Sequence, residues 1–217
     1  MKNIAVIGAT GFVGSHVVKE LVSRGYDVKA IVRDASKVEK NDHVQALSVD
    51  VSDVDALSEA LQGSDAVVSA FNAGWSNPNL YADFLKGSED IEKAVGKSGI
   101  KRLIVVGGAG SLYTPDGTQI VDTPEFPAAI KPGALAARDY LNEIKKNTVL
   151  DWTFFSPAPE MHQGTSGVRK GTYRTSLETP VVDAEGRSVI SVEDVAVALV
   201  DELENNRHVR ERFTAAY

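Results

Sequence analysis

The chain has 217 residues, 43% of them hydrophobic, with 23 Lys and Arg against 30 Asp and Glu, a formal net charge of −7. That length suits one domain with a small extension, and an acidic chain without a basic cluster argues against nucleic acid as a partner. The absence of cysteine excludes disulfides and thiolate chemistry; with no leader pattern and no bilayer-length apolar run, the expectation is a cytoplasmic protein without a membrane partner.

The first strand is the apolar run Ile4-Ala5-Val6-Ile7, and it leads into Gly8-Ala9-Thr10-Gly11-Phe12-Val13-Gly14. Val17, Val18, Leu21 and Val22 then recur at helical spacing. Strand, glycine turn and helix form a dinucleotide-binding pattern: Gly8 for the tight turn, Gly11 for close approach of a pyrophosphate, Gly14 for helix–strand packing. The helix start supplies free N–H groups from Thr10, Phe12 and Val13 onward. The alternative is a tight strand–helix turn that binds nothing.

Asp27–Val32 reads as the second strand and Val44–Val49 as the third. A helix over Asp53–Leu61 is capped by Ser52 or Asp53. Ala66–Ala70 is a buried strand, Tyr81–Ser98 a long helix and Arg102–Val106 the fifth strand. Gly133–Lys146 is helical, Trp152–Phe155 the sixth strand, and Ser191 caps a helix running to Glu204. Arg212–Ala215 reads as a final edge strand. This alternation predicts an α/β fold: a Rossmann-type, doubly wound parallel sheet of order 3-2-1-4-5-6, one domain with a small C-terminal extension. Three irregular stretches, about 71–79, 112–132 and 157–187, follow strand ends on the ligand side.

The strand ends carry the cofactor expectation. Arg33 at the end of the second strand suits a ribose 2′-phosphate, while its neighbour Asp34 suits a 2′-hydroxyl. NADP(H) is therefore favoured and NAD(H) kept as the alternative; a solvated charge is the bland reading of Arg33. Asp50-Val51 ends the third strand, where Asp50 either accepts from the adenine amino group or caps the next helix. Ser69-Ala70-Phe71-Asn72-Ala73-Gly74 ends the fourth strand, with Ala70, Phe71 and Asn72 expected at the cofactor, and its small residues would let the chain pass close to the nicotinamide ribose.

These features together resemble an atypical short-chain dehydrogenase/reductase. The residues that carry the likeness are Gly8, Gly11 and Gly14, Asp50-Val51, Leu103–Val106 with its Gly-Gly end, Leu150–Pro157 and Ile190–Ala196. The nearest groups are NmrA-like and NAD(P)H-binding proteins, flavin/biliverdin reductases and bacterial proteins labelled NAD-dependent epimerase/dehydratase. The resemblance implies a Rossmann sheet and a dinucleotide but names no substrate.

It also implies a catalytic Ser and a Tyr-x-x-x-Lys pair, and here the chain departs from the pattern. No tyrosine is followed by lysine four positions on. Tyr140 and Lys145 are five apart, which turns them to different helix faces. Alignment puts Ile130 and Ala134 at the Tyr and Lys positions and Ala109 at the serine position. Candidate proton donors are then Ser111, Tyr113 and His162, with Glu160 as an orienting group for His162 or simply solvated. Trp75, Tyr113, Phe126, Met161 and Tyr173 are the candidate lining of a pocket for a small molecule. Arg169–Arg174, the most basic stretch, meets an anion or forms a solvated hairpin edge. His16, His43 and His208 are scattered, so no metal is expected.

The function expected is reduction of a small planar or carbonyl compound. A catalytically silent, dinucleotide-sensing regulator is the alternative, and an epimerase/dehydratase a weaker third.

Overall fold

The computed structural model describes residues 2–217. Its strands are β1 (Asn3–Ile7), β2 (Asp27–Val32), β3 (Val44–Ser48), β4 (Ala66–Ser69), β5 (Arg102–Val106), β6 (Asp151–Phe155), β7 (Arg174–Ser176) and β8 (Glu211–Ala216). Its helices are α1 (Phe12–Ser23), α2 (Val54–Leu61), α3 (Leu80–Ser98), α4 (Lys131–Ile144) and α5 (Val192–Asn205). The sheet runs β3-β2-β1-β4-β5-β6-β8-β7, so the order inferred for the first six strands holds. All neighbours pair in parallel except β7 with β8.

Both faces of this sheet are covered, as a parallel sheet requires. Alternate side chains point to opposite faces: Ile4, Val6 and Phe155 meet Val17 and Leu21 of α1 and Val195 and Leu199 of α5. Ala5, Ile7 and Phe154 meet Leu57 of α2, Phe84 and Ile91 of α3 and Tyr140 of α4. Asp53, not Ser52, caps α2, accepting from Ala56 N at 3.0 Å, and Ser191 caps α5, accepting from Asp194 N at 3.1 Å.

One strand differs from its sequence reading. The strand containing Arg212–Ala215 is not the edge: β8 lies between β6 and β7, and its Phe213 and Ala215 are fully buried. The edge is β7, three polar residues with no alternation to reveal them, pairing Arg174 with Ala216 and Ser176 with Thr214.

The basic stretch before β7 is turned inward. Arg169 donates to Glu20 on α1 at 2.8 and 2.9 Å. The Lys170 and Gly171 N–H groups donate to the fully buried Asp194 at 2.9 and 2.8 Å. This segment straps α1 to α5 through carboxylates of its own chain.

The hydrogen bond from Arg169 holds the Glu20 carboxyl below the usual carboxylate range, with Arg24 assisting. A folded pKa below the unfolded one stabilises the fold above the unfolded value, about 4.3, and that stabilisation is lost as pH falls through the folded value. Glu20→Gln is therefore expected to lower Tm at neutral pH and to converge with the parent in acid. A gap in Tm that stays constant from neutral pH into acid would contradict this.

Candidate functional site

The site is built at the carboxyl ends of β1 and β4, on the turn between β1 and α1. Gly8 sits at φ +76°, and its N–H donates to Ile31 O at 3.0 Å. A Cβ there would come within 2.5 Å of Ala70 O, so β4's end presses directly on the turn. A Cβ on Gly14 would lie 2.1 Å from Gly8 O, a distance no side chain tolerates. Gly11 is different: its φ is −74°, and its nearest atom would be Gly8 O at 3.2 Å. Gly8 and Gly14 thus serve the packing of the turn, while Gly11 keeps the outer approach clear.

The start of α1 has no side-chain cap and no acidic residue in its first turn. By contrast α2 and α5 have capping Asp53 and Ser191, and acidic residues in their first turns. A helix start left uncapped keeps unpaired N–H donors and a positive dipole end, here on Phe12, Val13 and Gly14 beside exposed Thr10. That arrangement fits the pyrophosphate of a dinucleotide.

At the end of β2, Asp34 is already engaged. Its Oδ1 accepts from Ser36 N at 3.1 Å and Ser36 Oγ at 2.6 Å, and Lys37 lies 3.8 Å from Oδ2. The Ser36 hydroxyl and N–H hold its carboxyl below the usual range. Arg33 beside it is exposed. At the end of β3, Asp50 Oδ1 accepts from Ser52 N at 2.9 Å and Ser52 Oγ at 2.8 Å, and the cap of α2 is Asp53 instead. Val51 packs against the core face of α2 and α3.

After β4, the Phe71 ring leaves the turn and packs over Gly87, where a Cβ would stand 2.5 Å from the ring. It stacks on Phe84 with centroids 6.0 Å apart. Only its backbone faces Gly8. Asn72 Oδ1 accepts from Gly74 N at 2.7 Å and shapes the following loop.

The candidate proton donors fare unevenly. Ser111 is 2% exposed, and its Oγ accepts from Arg212 Nη1 at 3.0 Å, with Ser156 Oγ at 3.5 Å. Tyr113 is half-buried; its N–H donates to Glu178 O at 2.9 Å, and the Arg212 guanidinium lies 6.0 Å from its ring centroid. Arg212 in turn forms an ion pair with Glu178. His162 caps a short turn: its Nδ1 accepts from Gly164 N at 3.0 Å while its own N–H donates to Thr165 Oγ1 at 3.1 Å. Glu160 does not orient His162, because its carboxylate is taken by Arg187. Arg212 and Glu178 were not anticipated, since nothing local links positions 111, 178 and 212.

The five proposed pocket residues do not share one wall. Trp75 lies on the α4 side, against Gly133. Met161 and Tyr173 pack into the opposite core, and the Tyr173 hydroxyl donates to Asp201 at 2.6 Å. Phe126 is half-buried in the loop before α4. Surface hollows of about 220 and 390 Å³ lie around His43 and Lys40, and none of the five lines them.

The face expected to hold a Tyr–Lys pair carries Ile130, 43% exposed, and Ala134. A Cβ on Gly110 would meet Ala134 Cβ at 3.0 Å, so the chain after β5 closes against α4 where a lysine stem would run. Tyr140 is 1% exposed, and its hydroxyl donates to Glu92 at 3.2 Å. Burial raises its phenol pKa well above the usual value. Among the described residues there is no group of three or more potential metal ligands, and no helix is long and apolar enough to cross a membrane.

Known proteins agree with this geometry. Protein YwnB of Bacillus subtilis, uncharacterized, is 39% identical over 97% of this chain and 96% of its own. A Bacteroides thetaiotaomicron protein provisionally named an epimerase superposes with TM-score 0.90 at 43% identity, over 100% of this chain and 97% of its own. A Streptococcus pneumoniae protein provisionally named an NADH-flavin reductase gives TM-score 0.86 at 36% identity, over 100% and 99%. The family profile for NAD(P)H-binding domains matches residues 8–206. With that match spanning the glycine turn and six of the eight strands, the chain belongs to the NAD(P)H-binding family of Rossmann-fold proteins.

Proposed function

We propose that the protein is an NADPH-dependent reductase whose acceptors are flavins or quinones, compounds that hold added charge by delocalisation. The observation that carries this reading is the pair of positions Ile130 and Ala134 at the start of α4, whose side chains cannot move a proton, with Ala134 packed against Gly110. Bound NADPH supplies the hydride. The chain's own part is to hold the dinucleotide on the α1 start and to orient the acceptor. A ketone needs an acid at its oxygen as hydride arrives. Here Tyr140 is sealed in the core and Ser111 is buried under Arg212, which leaves Nε2 of His162, whose Nδ1 accepts from Gly164 N, and the Tyr113 hydroxyl as the donors to be tested. The relative provisionally named an NADH-flavin reductase supports the same acceptor class.

NADPH oxidation is to be measured against riboflavin, menadione, simple aldehydes and simple ketones. Turnover is expected with the first two and not with the carbonyls. Robust ketone turnover abolished by Tyr113→Phe or His162→Ala would overturn the reading. Tight NADPH binding without any turnover would favour a redox-sensing regulator, the second reading that the missing Tyr–Lys pair supports. Epimerisation is disfavoured because the same two positions supply no base.

The preference for NADPH rests on Arg33, exposed beside an Asp34 whose Oδ1 is committed to Ser36. A guanidinium grips a 2′-phosphate with paired, charge-assisted hydrogen bonds worth on the order of 1.5–3 kcal/mol. Arg33→Ala is expected to weaken NADPH about ten- to a hundredfold and NADH much less. Equal losses for the two cofactors, measured by calorimetry, would sink the preference.

A further inference from the structure

The chain has two tryptophans in opposite circumstances: Trp152 is 2% exposed in β6, and Trp75 is 63% exposed. Trp75 is nonetheless firmly seated. Its benzo ring lies over Gly133, where a Cβ would come within 2.8 Å of ring Cζ3, and Leu80 closes the same spot. The loop beneath is pinned at several points. Gly74 takes φ +101°, and its N–H donates to Asn72 Oδ1 at 2.7 Å. Asn77 N donates to Gly74 O at 3.0 Å, and Asn77 Nδ2 donates to Ala73 O at 3.3 Å and to Asp83 at 2.8 Å. A turn built this way displays an indole with one side packed and most of its surface open to water.

Its place in the fold gives that display a use. Trp75 follows Ala70, which presses on Gly8, by five residues, so it lies within about 18 Å of Ala70. Next to Gly133 stands Ala134, packed on Gly110 in the short turn after β5, and exposed Ile130 precedes them. The indole therefore lies against the first turn of α4, one residue from Ala134, in the loop that follows β4. An open aromatic surface takes another conjugated ring by offset stacking.

We infer that Trp75 is the stacking platform of the acceptor site, and that its ligand is a flat conjugated ring compound of the isoalloxazine or naphthoquinone class. This rests on the reductase reading and names the residue that selects planar acceptors. A second copy of the chain is a poorer occupant. One indole buries about 150–250 Å², against about 800 Å² per partner in a stable interface.

The test is calorimetric binding of riboflavin and of menadione to the full-length protein saturated with NADP⁺, so that no turnover is involved. Trp75→Phe keeps a flat ring and is expected to bind as the parent does. Trp75→Ala is expected to bind both probes roughly two- to tenfold more weakly with NADP⁺ affinity unchanged, the range for one aromatic pair. Gly133→Ala, which forces the indole to shift, is expected to weaken both without touching either. Saturable quenching of tryptophan emission by menadione is expected in the parent and reduced in Trp75→Phe, where only buried Trp152 remains. Parental affinity in Trp75→Ala overturns the platform. So does quenching that follows protein concentration instead of probe concentration, which would assign the indole to a second copy. Binding that depends on Trp75 without NADPH oxidation keeps the platform and removes the reductase reading.

Discussion

Gly11→Val is expected to abolish useful dinucleotide binding while leaving Tm almost unchanged. At φ −74° and ψ 173° the backbone of Gly11 is one that valine adopts readily. The new Cβ would meet only Gly8 O at 3.2 Å inside the protein, a tight contact that small shifts relieve. Its methyl groups instead stand in front of the open N–H groups of α1. Losing two charge-assisted hydrogen bonds to a phosphate costs about 3–6 kcal/mol, roughly a hundred- to ten-thousandfold in affinity. Gly14→Ala is the matched control. Its Cβ at 2.1 Å from Gly8 O strikes backbone, so this variant should lose about 1–3 kcal/mol of stability along with binding. Calorimetry with NADPH and a thermal melt on both variants decide the matter. Unchanged affinity in Gly11→Val would remove the glycine turn as the cofactor site.

The second large effect lies at the far end of the sheet. Arg102 and Glu202 are both buried and form an ion pair at 2.7 Å. Arg102 Nη1 also donates to Thr153 Oγ1 at 2.7 Å and Asp151 O at 2.9 Å. Glu202 accepts from His208 N at 3.0 Å, and its Oε2 lies 2.7 Å from His208 Nδ1. Burial draws the Arg102 pKa down from its ordinary value, with Glu202 opposing that shift. Removing one partner leaves the other charged, dry and unpaired, at a cost of about 3–5 kcal/mol. Glu202→Ala should therefore melt roughly 6–20 °C lower than the parent. Replacing the pair with apolar residues of similar volume, Arg102→Met with Glu202→Leu, should recover most of that loss. NADPH affinity should be untouched, because Arg102 begins β5 and the cofactor end lies beyond Val106. A double variant no more stable than Glu202→Ala would show that the hydrogen bonds, not the unpaired charge, carry the cost.

The architecture was legible because its signals are local. Buried parallel strands are short apolar runs, so β2 and β5 fall on their sequence-read bounds. Asp53 and Ser191 cap as short polar residues before apolar helices do. Helix α4 begins two residues earlier than Gly133, since Pro132 is tolerated in a first turn. The packing roles of Gly8 and Gly14 could be read from spacing alone, because backbone conformation and close approach are written into the absence of a side chain.

What only the tertiary structure decided depends on pairs far apart in the chain. Ser111 reads as a free hydroxyl until Arg212, 101 positions later, donates to it. The basic run at Arg169 reads as an anion site until Glu20, 149 positions earlier, takes its guanidinium. His162 and Glu160 are neighbours in sequence, yet one caps its own turn and the other pairs with Arg187. Strand β7 exists because β8 supplies its partners, not because three polar residues favour extension. In each case a charged or hydroxyl group has several chemically acceptable partners, and local sequence does not rank them. Folding does, by bringing one partner within hydrogen-bond distance and removing water from the rest. Motif and periodicity therefore determined the fold and the glycine turn, while the fate of each polar side chain around that turn was settled by long-range packing.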